Sequence, residues 1–306
     1  MSRFAKIMSA LAVVLVISVV LFFASLITLI GGLSKHGAGY KEPRAHITEL
    51  RIEGPIMGSD AYMESIQRIS EDKTCKGVLL RIDSPGGAVG SSQEIQSALN
   101  ALKKKNKLPI VVSQGNLAAS GGYYVSLAGD KIFSNPGTLT GSIGVILQFP
   151  EAQKLMEKIG VKMNTIKSGA LKDVGNFARP PTPEELRYLQ SVIDNTYGQF
   201  IDDIVASRKV EKAALLKIAD GRVLTGSQAK EHGLVDTLGG YQEARHYLAG
   251  LAKLEGEPVV VREPPAKSWI ENAVSSQTES SSLGALAETA REWLPAVRQG
   301  TYFLWK

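Results

Sequence analysis

Gly115-Asn116-Leu117-Ala118-Ala119-Ser120-Gly121-Gly122-Tyr123-Tyr124 seats one serine among small residues at the point where a β-strand hands over to a helix. The apolar run at 109–112 reads as a buried strand and 118–127 as the helix behind it. Ser120 therefore stands near a helix N-terminus, where unpaired N–H groups favour negative charge. Taken alone, a small-Ser-Gly-Gly stretch equally suits a helix packed tightly on a sheet. A second stretch gives it weight. Gly77-Val78-Leu79-Leu80-Arg81-Ile82-Asp83 reads as another strand and runs straight into Ser84-Pro85-Gly86-Gly87. Proline presets one backbone angle and paired glycines allow positive φ, so an N–H of Gly86 or Gly87 can point into a cleft instead of a ladder. Two strands ending in glycine-rich turns offer two backbone donors for one tetrahedral oxyanion.

A serine hydroxyl at such a corner needs a base. His36 lies beside an apolar N-terminal segment, His46 opens a strand, His232 ends a polar helix and His246 belongs to a surface helix. Sequence context favours a structural or solvated role for each, and leaves a Ser-His-Asp arrangement in space open. The lysines of Thr165-Ile166-Lys167-Ser168-Gly169-Ala170-Leu171-Lys172-Asp173 follow the strand-like 161–166 in a turn of small residues, and one of the two is the better candidate. A free lysine titrates near about 10.4, so a lysine base must be removed from water.

Alternating strands and helices predict an α/β fold with parallel structure. Strands are expected at 46–52, 77–83, 110–113, 131–133, 143–147 and 161–166, and helices near 61–70, 89–105 and 151–159. Pro180-Pro181-Thr182-Pro183-Glu184-Glu185 starts a long helix to about residue 208. Thr182 serves as its N-cap, Pro183 as its first residue, and Glu185 completes a capping box. Leu186, Leu189, Ile193, Tyr197, Phe200, Ile201 and Ile204 form its apolar stripe, read as core.

Composition bounds the rest. About 28 uncharged residues, 7–34, separate Lys6 from Lys35, long enough to cross a ~30 Å hydrocarbon core and longer than a cleavable leader's apolar region. An uncleaved anchor is expected, although charges on its two flanks do not fix its orientation. The single Cys75 forbids an internal disulfide, and no Cys/His cluster has metal-site spacing, so no metal or other cofactor is expected. A net charge of +5 is spread along the chain, save Lys103-Lys104-Lys105 at a helix end, and does not point to nucleic acid. Residues 275–282 read as a linker, and the apolar end Tyr302-Phe303-Leu304-Trp305 is expected to pack on a neighbouring subunit or in the cleft.

Six blocks in order carry a wider resemblance: Arg81-Ile82-Asp83-Ser84-Pro85-Gly86-Gly87, Ala118-Ala119-Ser120-Gly121-Gly122-Tyr123-Tyr124, Thr140-Gly141-Ser142-Ile143-Gly144-Val145, Lys167-Ser168-Gly169-Ala170-Leu171-Lys172-Asp173, Gly221-Arg222-Val223-Leu224-Thr225-Gly226 and Gly233-Leu234-Val235-Asp236-Thr237-Leu238-Gly239-Gly240. From about residue 45 to about 250 the chain resembles the signal peptide peptidase A family, the short-form Ser-Lys serine proteases of peptidase family S49. The resemblance implies Ser120 as nucleophile, Lys172 as general base, Gly87 and Gly121 as oxyanion donors, and Ser142 as the residue that orients the lysine. It implies a Clp-protease/crotonase-like fold, assembly into a homo-oligomeric ring, and released signal peptides and other apolar peptides as substrates.

Segments follow accordingly: a cytoplasmic N-terminus at 1–6, a transmembrane anchor at 7–34, a juxtamembrane linker at 35–44, an extracytoplasmic protease domain at 45–263 and a linker and tail at 264–306. The domain would sit outside the cytoplasmic membrane. Three rivals remain at this level. An NfeD-type membrane Ser-Lys protease would carry further membrane helices, a crotonase-like acyl-CoA enzyme has no need of a Ser-Lys pair, and a membrane scaffold would use the Ser120 motif for packing only.

Overall fold

The hydrophobic runs of β1 (His46–Glu53), β2 (Cys75–Ser84) and β3 (Ile110–Ala119) lie side by side at the centre of a mostly parallel sheet in the computed structural model, which describes residues 44–263. Sheet order is β6-β5-β3-β2-β1-β8, with β5 at Leu139–Gly141, β6 at Val223–Thr225 and β8 at Val260–Arg262. The start of β3 also pairs with β4 (Lys131–Ser134), and β4 pairs with β7 (Thr237–Leu238). Among the described residues, only β5 and β6 run antiparallel.

Parallel neighbours require crossovers, and helices supply them. In chain order these are α1 (Asp60–Glu71), α2 (Val89–Asn106), α3 (Gly121–Ser126), α4 (Gln153–Lys158), α5 (Pro183–Arg208), α6 (Lys212–Leu216), α7 (Gly226–Glu231) and α8 (Tyr241–Leu251). The strand period of two divides the core. Leu50, Ile52, Leu80, Ile82, Ile110 and Val112 pack on one face with Ile69 of α1 and Ile95 and Leu99 of α2. Ile47, Leu79 and Val111 face Ala244 and Leu248 of α8 on the other. Most of these side chains are wholly inaccessible, so truncating one to alanine is expected to cost ~2–5 kcal/mol.

The capping box forms as expected. The Thr182 hydroxyl accepts the Glu185 N–H, and the Glu185 carboxylate accepts the Thr182 N–H at 2.8 Å. The stripe behind it divides. Phe200, Ile201 and Ile204 are buried, but Leu186 is 50% exposed and the nearby Tyr188 46%. The first half of α5 therefore does not pack into the core of this chain.

Two expected strands are not strands. Residues 143–147 are irregular because the edge position beside β3 goes to Leu139–Gly141, and Ile146 is left 81% exposed. Residues 161–166 pair with no strand among the described residues, and Ile166 is fully exposed. In contrast, β3 runs six residues past the expected end at Ser113, because Leu117, Ala118 and Ala119 find partners on β5. Within the lysine run at the end of α2, Lys103 turns back to the carbonyl of Ala128 at 2.9 Å and to Asp130 at 3.1 Å. No helix among the described residues is long and apolar enough to cross a membrane. The expected anchor at 7–34, its flanks and the tail at 264–306 lie outside those residues.

Candidate active site

Both glycine turns sit at the C-terminal ends of adjacent parallel strands, where ligand sites of open α/β sheets form. Ser84 and Ala118 are register partners, so the chain leaves β2 and β3 at the same edge. The Ser84 hydroxyl donates to the Gly54 carbonyl at 2.6 Å and accepts the Gly86 N–H at 3.1 Å, which fixes the first turn. Gly86 has φ +93°, a conformation that side chains resist. Gly87 then makes a single parallel bridge with Ile56. Its two bonds run from the Ile56 N–H to the Gly86 carbonyl and from the Ala88 N–H to the Ile56 carbonyl. That pattern leaves the Gly87 N–H without an acceptor among the described residues, on an exposed residue. A Cβ at Gly87 would lie 2.1 Å from the Ile56 carbonyl oxygen, so no other residue fits this backbone path.

Ser120 occupies the second turn with φ 51° and ψ −120°, neither strand nor helix. A non-glycine residue in this region stores about 1–3 kcal/mol of strain and persists only when its surroundings hold it. They do: its N–H donates to the Gly141 carbonyl and its carbonyl accepts the Tyr124 N–H, both at 2.8 Å. Such a corner lifts a nucleophilic hydroxyl clear of the sheet. Gly121 opens α3, so its N–H has no intrahelical acceptor. The point where a Gly121 Cβ would stand is 3.1 Å from the Gly87 nitrogen, which puts the two N–H groups beside one another and beside Ser120. Ser142 follows the carbonyl that holds Ser120; its own N–H donates to the Arg222 carbonyl at 2.9 Å. The structure thus brings Ser120, Gly87 and Gly121 together, whereas Ser142 follows the residue that pairs with Ser120 and does not line the cleft.

Ser120, Gly87 and Gly121 line a cleft whose walls are Val89, Ser92 and Gln93 of α2, Tyr124 of α3, Gly144, Val145, and Thr196 and Phe200 of α5. Sequence reasoning named no wall residue. The signal was present as Tyr124 inside the serine block, Gly144 and Val145 inside the 140–145 block and Phe200 inside the α5 stripe; the Tyr124 and Phe200 rings meet at 5.1 Å. The Tyr124 hydroxyl donates to Asp203, and burial together with that carboxylate holds the phenol well above its ordinary range. It stays neutral and is no base at physiological pH.

The two lysines are separated by their partners. Lys167 Nζ donates to the Ala170 carbonyl at 2.8 Å and is ion-paired with Asp173. Arg179 also reaches Asp173, at 3.0 Å, and grips Glu185 with both terminal nitrogens. The carboxylate next to Lys172 is therefore taken by two other cations. Lys172 itself is exposed, its Nζ makes no hydrogen bond or ion pair among the described residues, and it does not line the Ser120 cleft of its own chain. Among the histidines, His46 begins β1 at the opposite end of the sheet, His232 caps α7 and His246 lies on α8; none lines the cleft, and His36 lies outside the described residues.

The 167–185 cluster has a pH signature. Lys167, and with it Arg179, holds Asp173 well below the ordinary carboxylate range, and Arg179 with the Thr182 N–H lowers Glu185 to about 2. Lowered carboxylates stabilise fully above their unfolded values near about 4, and the effect is lost as pH falls through the folded values. Hydrogen exchange across 167–185, corrected for intrinsic rates, is expected to stay flat from neutral pH down to about 4 and to accelerate below it. An acceleration beginning near neutrality would contradict this assignment.

Comparison with known proteins places these observations. The family model described as "Peptidase family S49" matches residues 102–255. A Synechocystis sp. protein named "Putative protease slr0021" is 43% identical over 218 residues, covering 71% of this chain and 78% of that protein. An Enterococcus faecium protein named "Putative signal peptide peptidase SppA" is 38% identical, covering 70% of this chain and 63% of its own length. The Arabidopsis thaliana protein "Serine protease SPPA, chloroplastic" is 35% identical over 63% of this chain, which spans only 29% of it.

Proposed function

This chain belongs to peptidase family S49, a family of serine endopeptidases, and we propose that it cleaves apolar peptides, released signal peptides foremost, with a Ser120–Lys172 dyad. Ser120 attacks the peptide carbonyl, the uncharged Lys172 amine takes its proton and returns it to the leaving amine, and water repeats the cycle on the acyl-enzyme. The N–H groups of Gly87 and Gly121 receive the oxyanion, and Ser142 orients the lysine. The observation that carries this reading is the strained Ser120 corner with two unengaged backbone donors at its side.

A single chain does not complete the dyad, and the surface suggests what does. Lys172 rides on a segment whose Ile146, Ile159 and Ile166 are 81%, 65% and 102% exposed, next to the uncovered half of α5. Exposed apolar side chains in such number mark an interface. Packing it against further copies of the chain in a ring withdraws Lys172 from water and presents it to a Ser120 cleft. The fold proposed is the Clp-protease/crotonase-like one, with 45–263 as the protease domain, and residues 7–34 as a single-pass anchor that holds this domain outside the cytoplasmic membrane. The apolar cleft walls, Val89, Val145, Tyr124 and Phe200, suit the side chains of a signal peptide core.

Cleavage of a synthetic signal peptide by wild type, Ser120→Ala and Lys172→Ala, with fragments read by mass spectrometry, tests the proposal. Fragments from wild type alone support it; equal fragments from all three would sink it. The oxyanion assignment has its own test. Gly87→Ala must displace the turn from Ile56, so kcat is expected to fall about 100-fold or more while substrate binding changes little.

A further inference from the structure

Asp83 has no place in the chemistry above, yet it stands where β2 and β3 lose register. Ile82 pairs with Gln114 and Ser84 with Ala118, so Gly115, Asn116 and Leu117 of β3 stand against Asp83 alone. A bulge of this kind strands backbone groups and bends the strand. Here the bend is the point at which β3 leaves β4, its partner through Ser113, and joins β5, its partner from Leu117.

Side chains replace the missing ladder. Asp83 Oδ1 accepts the Leu117 N–H at 3.1 Å, and Oδ2 accepts from the Asn116 side-chain amide at 3.2 Å. On the other flank the Thr138 hydroxyl donates to the Gly115 carbonyl at 2.6 Å. A Cβ on Gly115 would lie 2.8 Å from Asp83 Oδ2, so the glycine is what lets the carboxylate lie flat against β3. Asp83 is one residue before the Ser84-Pro85-Gly86-Gly87 turn, and the amide it holds is three residues before Ser120.

We propose that Asp83 is a positioning residue: its carboxylate clasps the bulge of β3 to the end of β2, and so fixes the Ser120 hydroxyl relative to the Gly87 N–H. This rests on the assignment of Ser120 as nucleophile. The two groups stand on different strands and must meet one carbonyl carbon and its oxygen together. A displacement of about 1 Å can cost 100-fold in rate. The cleft walls on α2 and α5, which the proposed function gives to substrate side chains, are not touched by the clasp, so the loss is expected to fall on kcat and spare KM.

The test uses the full-length chain, with signal-peptide cleavage and the second-order rate of fluorophosphonate labelling as readouts. Asp83→Ala is expected to lower kcat and the labelling rate in parallel, roughly tenfold or more, at unchanged KM. Asp83→Asn keeps an acceptor for Leu117 and is expected to restore both to within about threefold of wild type. Thr138→Val, nearly isosteric, loosens the other flank and is expected to lower kcat in the same way, which keeps the test open if Asp83→Ala does not fold. Unchanged kcat in Asp83→Ala or in Thr138→Val, a loss expressed in KM, or an Asp83→Asn enzyme as slow as Asp83→Ala would each overturn the proposal. Undiminished labelling of Ser120→Ala would instead remove the nucleophile assignment, whatever Asp83 does.

Discussion

Ser120→Ala is expected to abolish peptide cleavage, lowering kcat by at least about 10⁴-fold, with substrate binding and the folded structure retained. Removing a serine nucleophile leaves only what the oxyanion donors and binding supply, a small residue of the full rate. The backbone adds a second, separable expectation. Alanine keeps a Cβ and hence the strain of φ 51°, whereas glycine relieves it. Ser120→Gly should be as inactive as Ser120→Ala but more stable by roughly 1 kcal/mol, seen as a higher Tm. A Ser120→Ala enzyme with appreciable turnover would move the nucleophile elsewhere. Equal Tm values for the two variants would show that the corner is not strained.

Lys172→Ala is expected to carry the second large effect, a fall of roughly 10³-fold in kcat, whereas Lys167→Ala is expected to stay within a few-fold of wild type. General-base removal is worth about 10²–10⁴-fold. The partners of the two amines predict the asymmetry: Lys167 is committed to Asp173 and the Ala170 carbonyl, and the Lys172 amine has no partner among the described residues. For the wild type, kcat/KM should climb with pH as the amine loses its proton and then level off. A flat profile from about pH 6 to about pH 10, with chemistry limiting, would argue against a lysine base. Because Lys172 is outside its own chain's cleft, mixing inactive Ser120→Ala and Lys172→Ala chains should regenerate sites that combine one chain's serine with another's lysine. No recovery after subunit exchange, or a normal Lys172→Ala beside an inactive Lys167→Ala, would refute the arrangement.

The strands that carry the site were legible because their signals are local. β1, β2 and β3 are apolar runs ended by glycine turns, and the Thr182–Glu185 capping box marks the start of α5 on its own. Gly87 and Ser120 could be paired from sequence because each closes a strand with the same chemistry. The misread parts depend on partners that local pattern does not encode. Residues 143–147 and 161–166 have strand-like composition but no neighbour to pair with in this chain, and Leu186 belongs to a helical stripe whose first half leaves the core. Lys172 lies in the same irregular stretch of chain, between 161–166 and α5, so local pattern gave no account of its surroundings either. The cleft walls were missed for a related reason: Gln93, Tyr124 and Thr196 lie on three helices, and only the tertiary fold brings them together.

The most direct test of the Ser120 assignment is to locate the covalent adduct of a fluorophosphonate by mass spectrometry. The account predicts the adduct on the tryptic peptide that runs from Leu108 to Lys131, at Ser120, forming faster as pH rises and almost not at all in Lys172→Ala. An adduct on a different serine, or one at Ser120 that forms as fast without Lys172 as with it, would contradict the account.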